Sequence, residues 1–420
     1  MVVCIPATGA QCNSGDIAWV IAATALVMIM TPGLGFFYGG LVRRKNLVST
    51  IVQCMAIFAV VSLAWAIWGF TMAFGPSVLG GFIGDFRFFG LNGVGYAANT
   101  AYSSTIPALL YFAFQLKFAA ITPALIIGAF AGRIRLKPLL IFILAWVTFV
   151  YFPIAHWIWG VGGWLHVMGV EDFAGGMVVH TSAGVSALAA ALVIGRGVDF
   201  GKESRPNNVP YVILGTAILW FGWFGFNAGS ALSANGVAVN ALVVTNLAAA
   251  AAGVAWMLMD WILKGKPSAV GMCVGFVCGL AAVTPASGYV GPQLSLVIGI
   301  VAGAACNVVA SWRARSRLDD SLDVFACHGV GGMWGTVATG LFASTAINAA
   351  GQNGLVFGNP HFALLEMFAV AVVASYAFFV TYIILHIVNF LSPLRTSTEE
   401  EKAGLDEVHF GEEAYYPAPE

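Results

Sequence analysis

Charge is what this sequence has least of. Only 9% of its 420 residues are Asp, Glu, Lys or Arg, against about 25% in an ordinary soluble domain. The net charge is -1 and no basic patch exists to hold a phosphate backbone, so nucleic-acid binding is excluded. No charged leader followed by an apolar core opens the chain, so the first hydrophobic run is expected to act as its own insertion signal. No GxSxG motif offers a hydrolase nucleophile. No Asp or Glu sits mid-span in the first ten hydrophobic segments, which leaves no carboxylate cage for sodium or calcium.

What is present is apolar. Hydrophobic residues make up 60% of the chain and the mean hydropathy is +0.88. Runs of roughly 20 apolar residues, the length a bilayer core requires, recur from end to end. Fifty glycines suit close helix packing in lipid. Five of the seven cysteines (Cys54, Cys273, Cys278, Cys306 and Cys327) fall in these runs and read as small packing residues. Cys4 and Cys12 precede the first run, and a local disulfide between them is open if that end lies outside the cell.

Eleven spans are expected, at about 17–38, 47–74, 105–131, 138–159, 172–194, 210–230, 238–259, 269–287, 294–312, the segment carrying His328, and 362–391. Every second connection collects Arg and Lys, while the alternate ones hold only Arg87. Positive residues stay cytoplasmic, which puts the N-terminus outside and the C-terminus inside. Spans five and ten each carry a histidine after an aspartate, Asp172 or Asp323. Five-span blocks insert with opposite orientations, so the chain reads as an all-α polytopic membrane protein. It is expected to be a 5+5 inverted repeat (about 17–194 and 210–344) plus one extra helix at about 362–391. The transmembrane domain is 1–391; residues 392–420 form an acidic cytoplasmic tail, either solvated or docked through Leu405, Val408, Phe410, Tyr415 and Tyr416.

An ionisable side chain inside a span is costly and points to function. His180 and His328 are such residues, each flanked by glycines at helical spacing: Gly176 and Gly184 for one, Gly331, Gly332 and Gly335 for the other. The glycines are expected to leave free space around the rings. His156, His166, His361 and His409 read as interfacial, and His386 as snorkelling or packing. Neither His180 nor His328 has ligating partners at suitable spacing, so no metal and no cofactor is expected. Two imidazoles that can hydrogen-bond to each other instead suit a small hydrogen-bonding solute or a proton relay. Aromatic residues form a second constellation: Trp223 and Phe226 share a face, as do Phe114 and Phe118. With Ser230 nearby, such rings suit a monovalent hydrogen-bonding cation. Trp157 and Trp164 read as an interfacial aromatic belt.

Asp172-Phe-Ala-Gly-Gly-Met-Val-Val-His180-Thr-Ser-Ala-Gly resembles the signature of the ammonium transporter (Amt/Mep/Rhesus) family. The resemblance extends through Thr31-Pro-Gly-Leu-Gly-Phe-Phe-Tyr-Gly-Gly40, Phe114-Gln-Leu-Lys-Phe118, Ala155-His-Trp-Ile-Trp159-Gly and Gly222-Trp-Phe-Gly-Phe226-Asn-Ala-Gly-Ser230. Val283-Thr284-Pro-Ala, Asp323-Val-Phe-Ala-Cys-His328-Gly and the tail segments Gly404-Leu-Asp406 and Gly411-Glu-Glu-Ala-Tyr415 continue it. It implies a homotrimer in the cell membrane, with one pore per subunit and, in prokaryotic relatives, a PII-type signal protein on the cytoplasmic face. By position, Trp159, Phe118 and Ser230 would recruit ammonium, and Phe118 and Phe226 would gate the pore. His180 and His328 would be its twin histidines, and Asp172 would hold the outer site in shape. Trp223 and Thr284 would be second-tier lining, and Leu34 and Val324 would line the inner exit. Lys117, beside the gate, is expected to point outward. The implied function is ammonium uptake, with ammonia conducted and its proton transferred separately, and no enzyme activity. A sensor signalling through the tail and an electroneutral gas channel for ammonia or carbon dioxide are the alternatives.

Overall fold

The computed structural model describes residues 12–202 and 205–415. Cys4 lies outside the described residues, and with it the suggested pairing to Cys12, as does Tyr416. The described chain is mostly helical, with one two-stranded hairpin, Ser77–Val78 against Ile83–Gly84, as its only sheet. Among the described residues ten helices are long and apolar enough to cross a membrane. They are α1 (Ser14–Leu41), α2 (Arg44–Phe74), α3 (Ala108–Phe130), α4 (Leu136–Met168) and α5 (Gly176–Ile194). After them come α6 (Val209–Gly229), α7 (Gly236–Lys264), α8 (Ala269–Ala286), α9 (Pro292–Arg315) and, last in the chain, α11 (Pro360–Leu391). The segment between, α10, carries His328: a π turn, Phe325–Val330, running into the helix Gly331–Phe342. Its glycines and histidine dilute its hydropathy, and it is not among the ten.

The helices start where short polar side chains satisfy the free N–H groups of a first turn. Asn13 caps α1, Asn208 α6, Asn235 α7, Ser268 α8 and Asn359 α11. α1 packs along α6, and α5 along α10, which pairs the first and fifth helices of the two proposed halves. α7 lies against α8 and α9, and α11 covers α5. Large apolar side chains remain exposed on the outward faces, as helices in contact with lipid require.

The basic residues gather at one end of the bundle, tied to acids and carbonyls of the connections and tail. Arg133 pairs with Asp319 at 2.5 Å, and Arg43 with Asp199 at 2.6 Å. The tail folds back onto this end as α12 (Thr398–Ala403) and α13 (Leu405–Phe410). Asp406 accepts the N–H groups of Val48 and Ser49 at 3.0 and 2.7 Å, capping α2 from more than three hundred residues away. Glu401 accepts from the Val198 N–H and pairs with Arg395. The docked form of the tail is the one found.

At the opposite end the hairpin around residues 77–84 folds over α4. This overturns two expectations. His156 is fully buried, not interfacial, with Nδ1 2.9 Å from the Ala73 carbonyl and Nε2 2.9 Å from Ser77 Oγ. Trp157 is buried too, donating from Nε1 to the Phe82 carbonyl at 2.8 Å and packed among Phe82, Tyr376 and Trp164. His386 sits on the outer face of α11 against Tyr382.

Candidate functional site

Five side chains from five helices form one file of rings. Trp159 ends the long helical part of α4, and its ring meets Phe118 of α3 edge-on at 6.0 Å between centroids. Phe118 meets Phe226 of α6 at 4.4 Å. Phe226 lies 5.8 Å from His180 of α5, the planes 20° apart. His180 lies 5.3 Å from His328 of α10, the planes 21° apart. Phe118, Phe226, His180 and His328 are all buried.

Above the file opens a cavity of ≈ 550 Å³, lined among others by Trp159, Phe118, Ser230, Gln115 and Asp172. Ser230 lies just past the C-terminus of α6, not within it, and donates to the Phe226 carbonyl at 2.8 Å. Its lone pairs are therefore left to face the cavity as acceptors. Below Phe226 the space shrinks to a lumen with ≈ 10 Å³ for the centre of a water-sized molecule, about the room one water needs. His180 and His328 are its only polar lining; Leu34, Trp223, Leu219, Leu125 and Val277 supply apolar walls. Neither ring nitrogen of His180 meets a protein partner, nor does His328 Nδ1. The expected hydrogen bond between the two imidazoles is thus not made; the rings face each other with unused donors and acceptors.

Both histidines sit in π turns, Gly176–Thr181 and Phe325–Val330, at the entrance to their helices. Single π turns inside helices concentrate at functional sites. Asp172 anchors the first. Its two carboxylate oxygens accept four backbone N–H groups, from Gly175, Gly176, Met177 and Val178, at 2.6–3.1 Å. Burial pushes this carboxyl above the ordinary range, and the four donors pull it part of the way back. Its backbone carbonyl accepts from Trp159 Nε1 at 2.7 Å, so one residue positions both the cavity wall and the histidine turn. The equivalent anchor of the second turn is Asp320, which accepts from Val324 and Phe325 at 3.1 and 2.8 Å. Asp323, the residue expected there, takes a left-handed backbone (φ 57°) and turns to Arg313 at 2.7 Å.

The glycines around the histidines do more than leave space for the rings. A Cβ on Gly184 would collide with the backbone of Gly329, and one on Gly332 would lie 2.6 Å from the Gly176 carbonyl. They let α5 and α10 touch backbone to backbone, and that contact brings the rings face to face.

Trp223 stacks on His180 at 5.3 Å and donates to Thr284 Oγ1 at 2.9 Å, so Thr284 stands behind Trp223 and does not line the lumen. Val324 is buried against Tyr38 and Gly128, outside the lumen wall. Lys117 points away from the file, its Nζ 5.1 Å from the centre of the Phe58 ring. Among the described residues no cluster of three or more His, Cys, Asp or Glu could hold a metal.

The model of the Ammonium Transporter Family matches residues 18–415. An ammonium transporter of Bacillus subtilis is 46% identical over 96% of this chain and 98% of its own length. Ammonium transporter Amt1 of Archaeoglobus fulgidus is 45% identical over 96% of this chain and 100% of its own. The crystal structure of Saccharomyces cerevisiae Mep2 superposes with a TM-score of 0.88 at 37% identity, covering 93% of this chain and 89% of that one.

Proposed function

The chain belongs to the ammonium transporter family, and from that membership we propose that it takes up ammonium by the following route. Ammonium enters the ≈ 550 Å³ cavity, where the faces of Trp159 and Phe118 and the acceptor lone pairs of Ser230 replace part of its water. Each aromatic face contributes about 0.5–2 kcal/mol. A bare cation in the apolar lumen beneath would be prohibitively costly, and loss of a proton removes that cost. Neutral ammonia then passes between Phe118 and Phe226, and the unpartnered nitrogens of His180 and His328 hydrogen-bond to it in the lumen. The same imidazoles carry the proton separately, so that net uptake is of ammonium.

The observation that carries this reading is the unbroken ring file from an open polar cavity to a one-molecule-wide lumen whose only polar groups are two histidines. The test is current from the purified protein in liposomes on a solid-supported membrane. Ammonium pulses should evoke current and potassium pulses none. Selective ammonium current that survives His180→Ala combined with His328→Ala would refute the assigned roles. Ammonia flux without current would favour the electroneutral channel.

The same reading takes the protein to be a homotrimer in the cell membrane with its N-terminus outside. It is supported by the single basic end and by the apolar side chains exposed on α6, α7 and α9, such as Leu214, Phe221, Val243 and Ile300. The basic end, with its docked tail and a cleft of ≈ 640 Å³ between Arg43, Arg133 and Glu401, is the face proposed for a PII-type partner. Native mass spectrometry would check the trimer.

A further inference from the structure

The outer cavity has an acidic wall that the route above does not use. Glu171 lines it, one residue before Asp172, on the connection between α4 and α5. The Glu171 N–H donates at 2.7 Å to Oε1 of Glu366, a fully buried residue of α11, so the peptide that carries the Glu171 side chain is fixed from behind. Glu171 Oε2 is buried and has no hydrogen-bond partner, and neither has Glu366 Oε2. The loop at Gly351 closes over it: a Cβ there would lie 3.0 Å from Glu171 Oε2 and 2.7 Å from the Tyr289 ring. Asp172 cannot serve as the cation's partner, because four backbone N–H groups already occupy its carboxylate. Gln115 Oε1, on the α3 side of the same cavity, is a second acceptor without a donor. Spare acceptors match a ligand that is all donors.

We propose that Glu171 is a further cation-recruiting side chain of this cavity, taking ammonium or methylammonium through a carboxylate that the arriving cation holds in its charged form. The proposal rests on the ammonium reading above and adds the negative charge that the rings and Ser230 do not supply. The groups facing Glu171 support it. Asp172 stands on its own segment, Glu366 on α11, Tyr289 after α8, Tyr102 and Tyr111 across the cavity, and His166 at the end of α4. None is a lysine or arginine, so the only positive charge the wall can meet comes from His166 or from a ligand. Burial pushes the Glu171 carboxyl up to about 8, the amides of Gln352 pulling the other way. It is therefore largely protonated in acid and poised to ionise near neutrality. A cation favours the ionised form, so binding releases a proton, and by reciprocity a higher pH tightens binding.

The experiment uses the full chain in two readouts. Isothermal titration of the detergent-solubilised protein with methylammonium, in buffers of different ionisation enthalpy, reports recruitment and proton release without transport. Half-saturation of the liposome current, from pH 6.5 to 8.5, reports the same step during transport. The wild type should release protons near neutral pH, and its half-saturation should fall on the order of tenfold across that range. Glu171→Gln should release none and keep the weaker value at every pH, whereas Glu171→Asp should retain the pH dependence. A Glu171→Gln protein that matches the wild type in both proton release and half-saturation overturns the proposal. If currents are absent in all forms but proton-linked binding is lost in Glu171→Gln, the transport reading fails and this one stands.

Discussion

Removing the Asp172 carboxylate should unlock the site from its outer end. It accepts four charge-assisted backbone hydrogen bonds at 2.6–3.1 Å in a segment with no exposed side. These are N–H groups at the start of a helical segment, which have no partner inside it. A hydrogen bond to a charged group contributes about 1.5–3 kcal/mol, and a buried donor left orphaned costs about 1–3 kcal/mol. The four share two oxygens and relax together, so Asp172→Ala should cost roughly 4–6 kcal/mol, less than the simple total. Asn is no remedy. Its amide nitrogen would replace one of the two oxygens and put a donor against donors, so Asp172→Asn should recover less than half of the loss. Unfolding in SDS followed by tryptophan fluorescence measures the cost, and ammonium current from liposomes measures the consequence. Because the Asp172 carbonyl also takes the Trp159 N–H, current should fall together with stability. An Asp172→Ala protein within 1 kcal/mol of the wild type would refute the account of how the histidine turn is held.

Other expectations follow from single contacts. Phe226→Ala removes one side of the 4.4 Å ring contact over the lumen, so potassium-evoked current in ammonium-free buffer should rise several-fold above that of the wild type. Asp320 is raised to about 6, chiefly by burial and then by the charge of Asp323, while backbone N–H groups and Arg313 pull it down. With the folded value above the unfolded one, its contribution to stability is present in acid and lost as pH rises through about 6. Stability should therefore gain about 2 kcal/mol from this residue between pH 7 and 4.5, a slope that Asp320→Asn should remove in SDS titrations at the two pH values. Asp406→Ala deletes the cap on α2, costing about 1–2 kcal/mol, and trypsin cleavage at Lys402 should accelerate because one of the contacts that dock the tail is lost.

Much of this site could be read from the sequence because polarity is conspicuous in grease. His180 and His328 stand out for that reason, and Phe114, Phe118, Trp223 and Phe226 stand out by spacing. The lumen walls do not: Leu219, Leu125 and Val277 are apolar residues in apolar helices, and nothing local tells a lumen face from a lipid face. Asp320 and Asp323 lie three apart in one short loop, and only the left-handed backbone at Asp323 decides which carboxylate reaches the π turn. Trp157 reads as interfacial from sequence because the hairpin that buries it lies about 75 residues earlier. Glu171 does not stand out beside Asp172 in the sequence, since its unpartnered oxygen is a property of what surrounds it.

The geometry of the two histidines follows from an unusual economy of side chains around them. The two rings stand 5.3 Å apart on different helices, whose backbones approach more closely than ordinary side-chain packing allows. Gly184 against Gly329, and Gly332 against the Gly176 carbonyl, remove the side chains that would hold α5 and α10 apart. Without a hydrophobic drive between helices in lipid, that approach has to be held by close packing and hydrogen bonds. The π turns complete the arrangement. Each gives its histidine a turn wound differently from the helix that follows, and each turn is tied at its start by a buried aspartate, Asp172 or Asp320. Two like devices, one on α5 and one on α10, put one polar pair where these helices meet. In a lumen with room for about one water-sized molecule, that pair supplies the hydrogen-bonding groups among the lining residues.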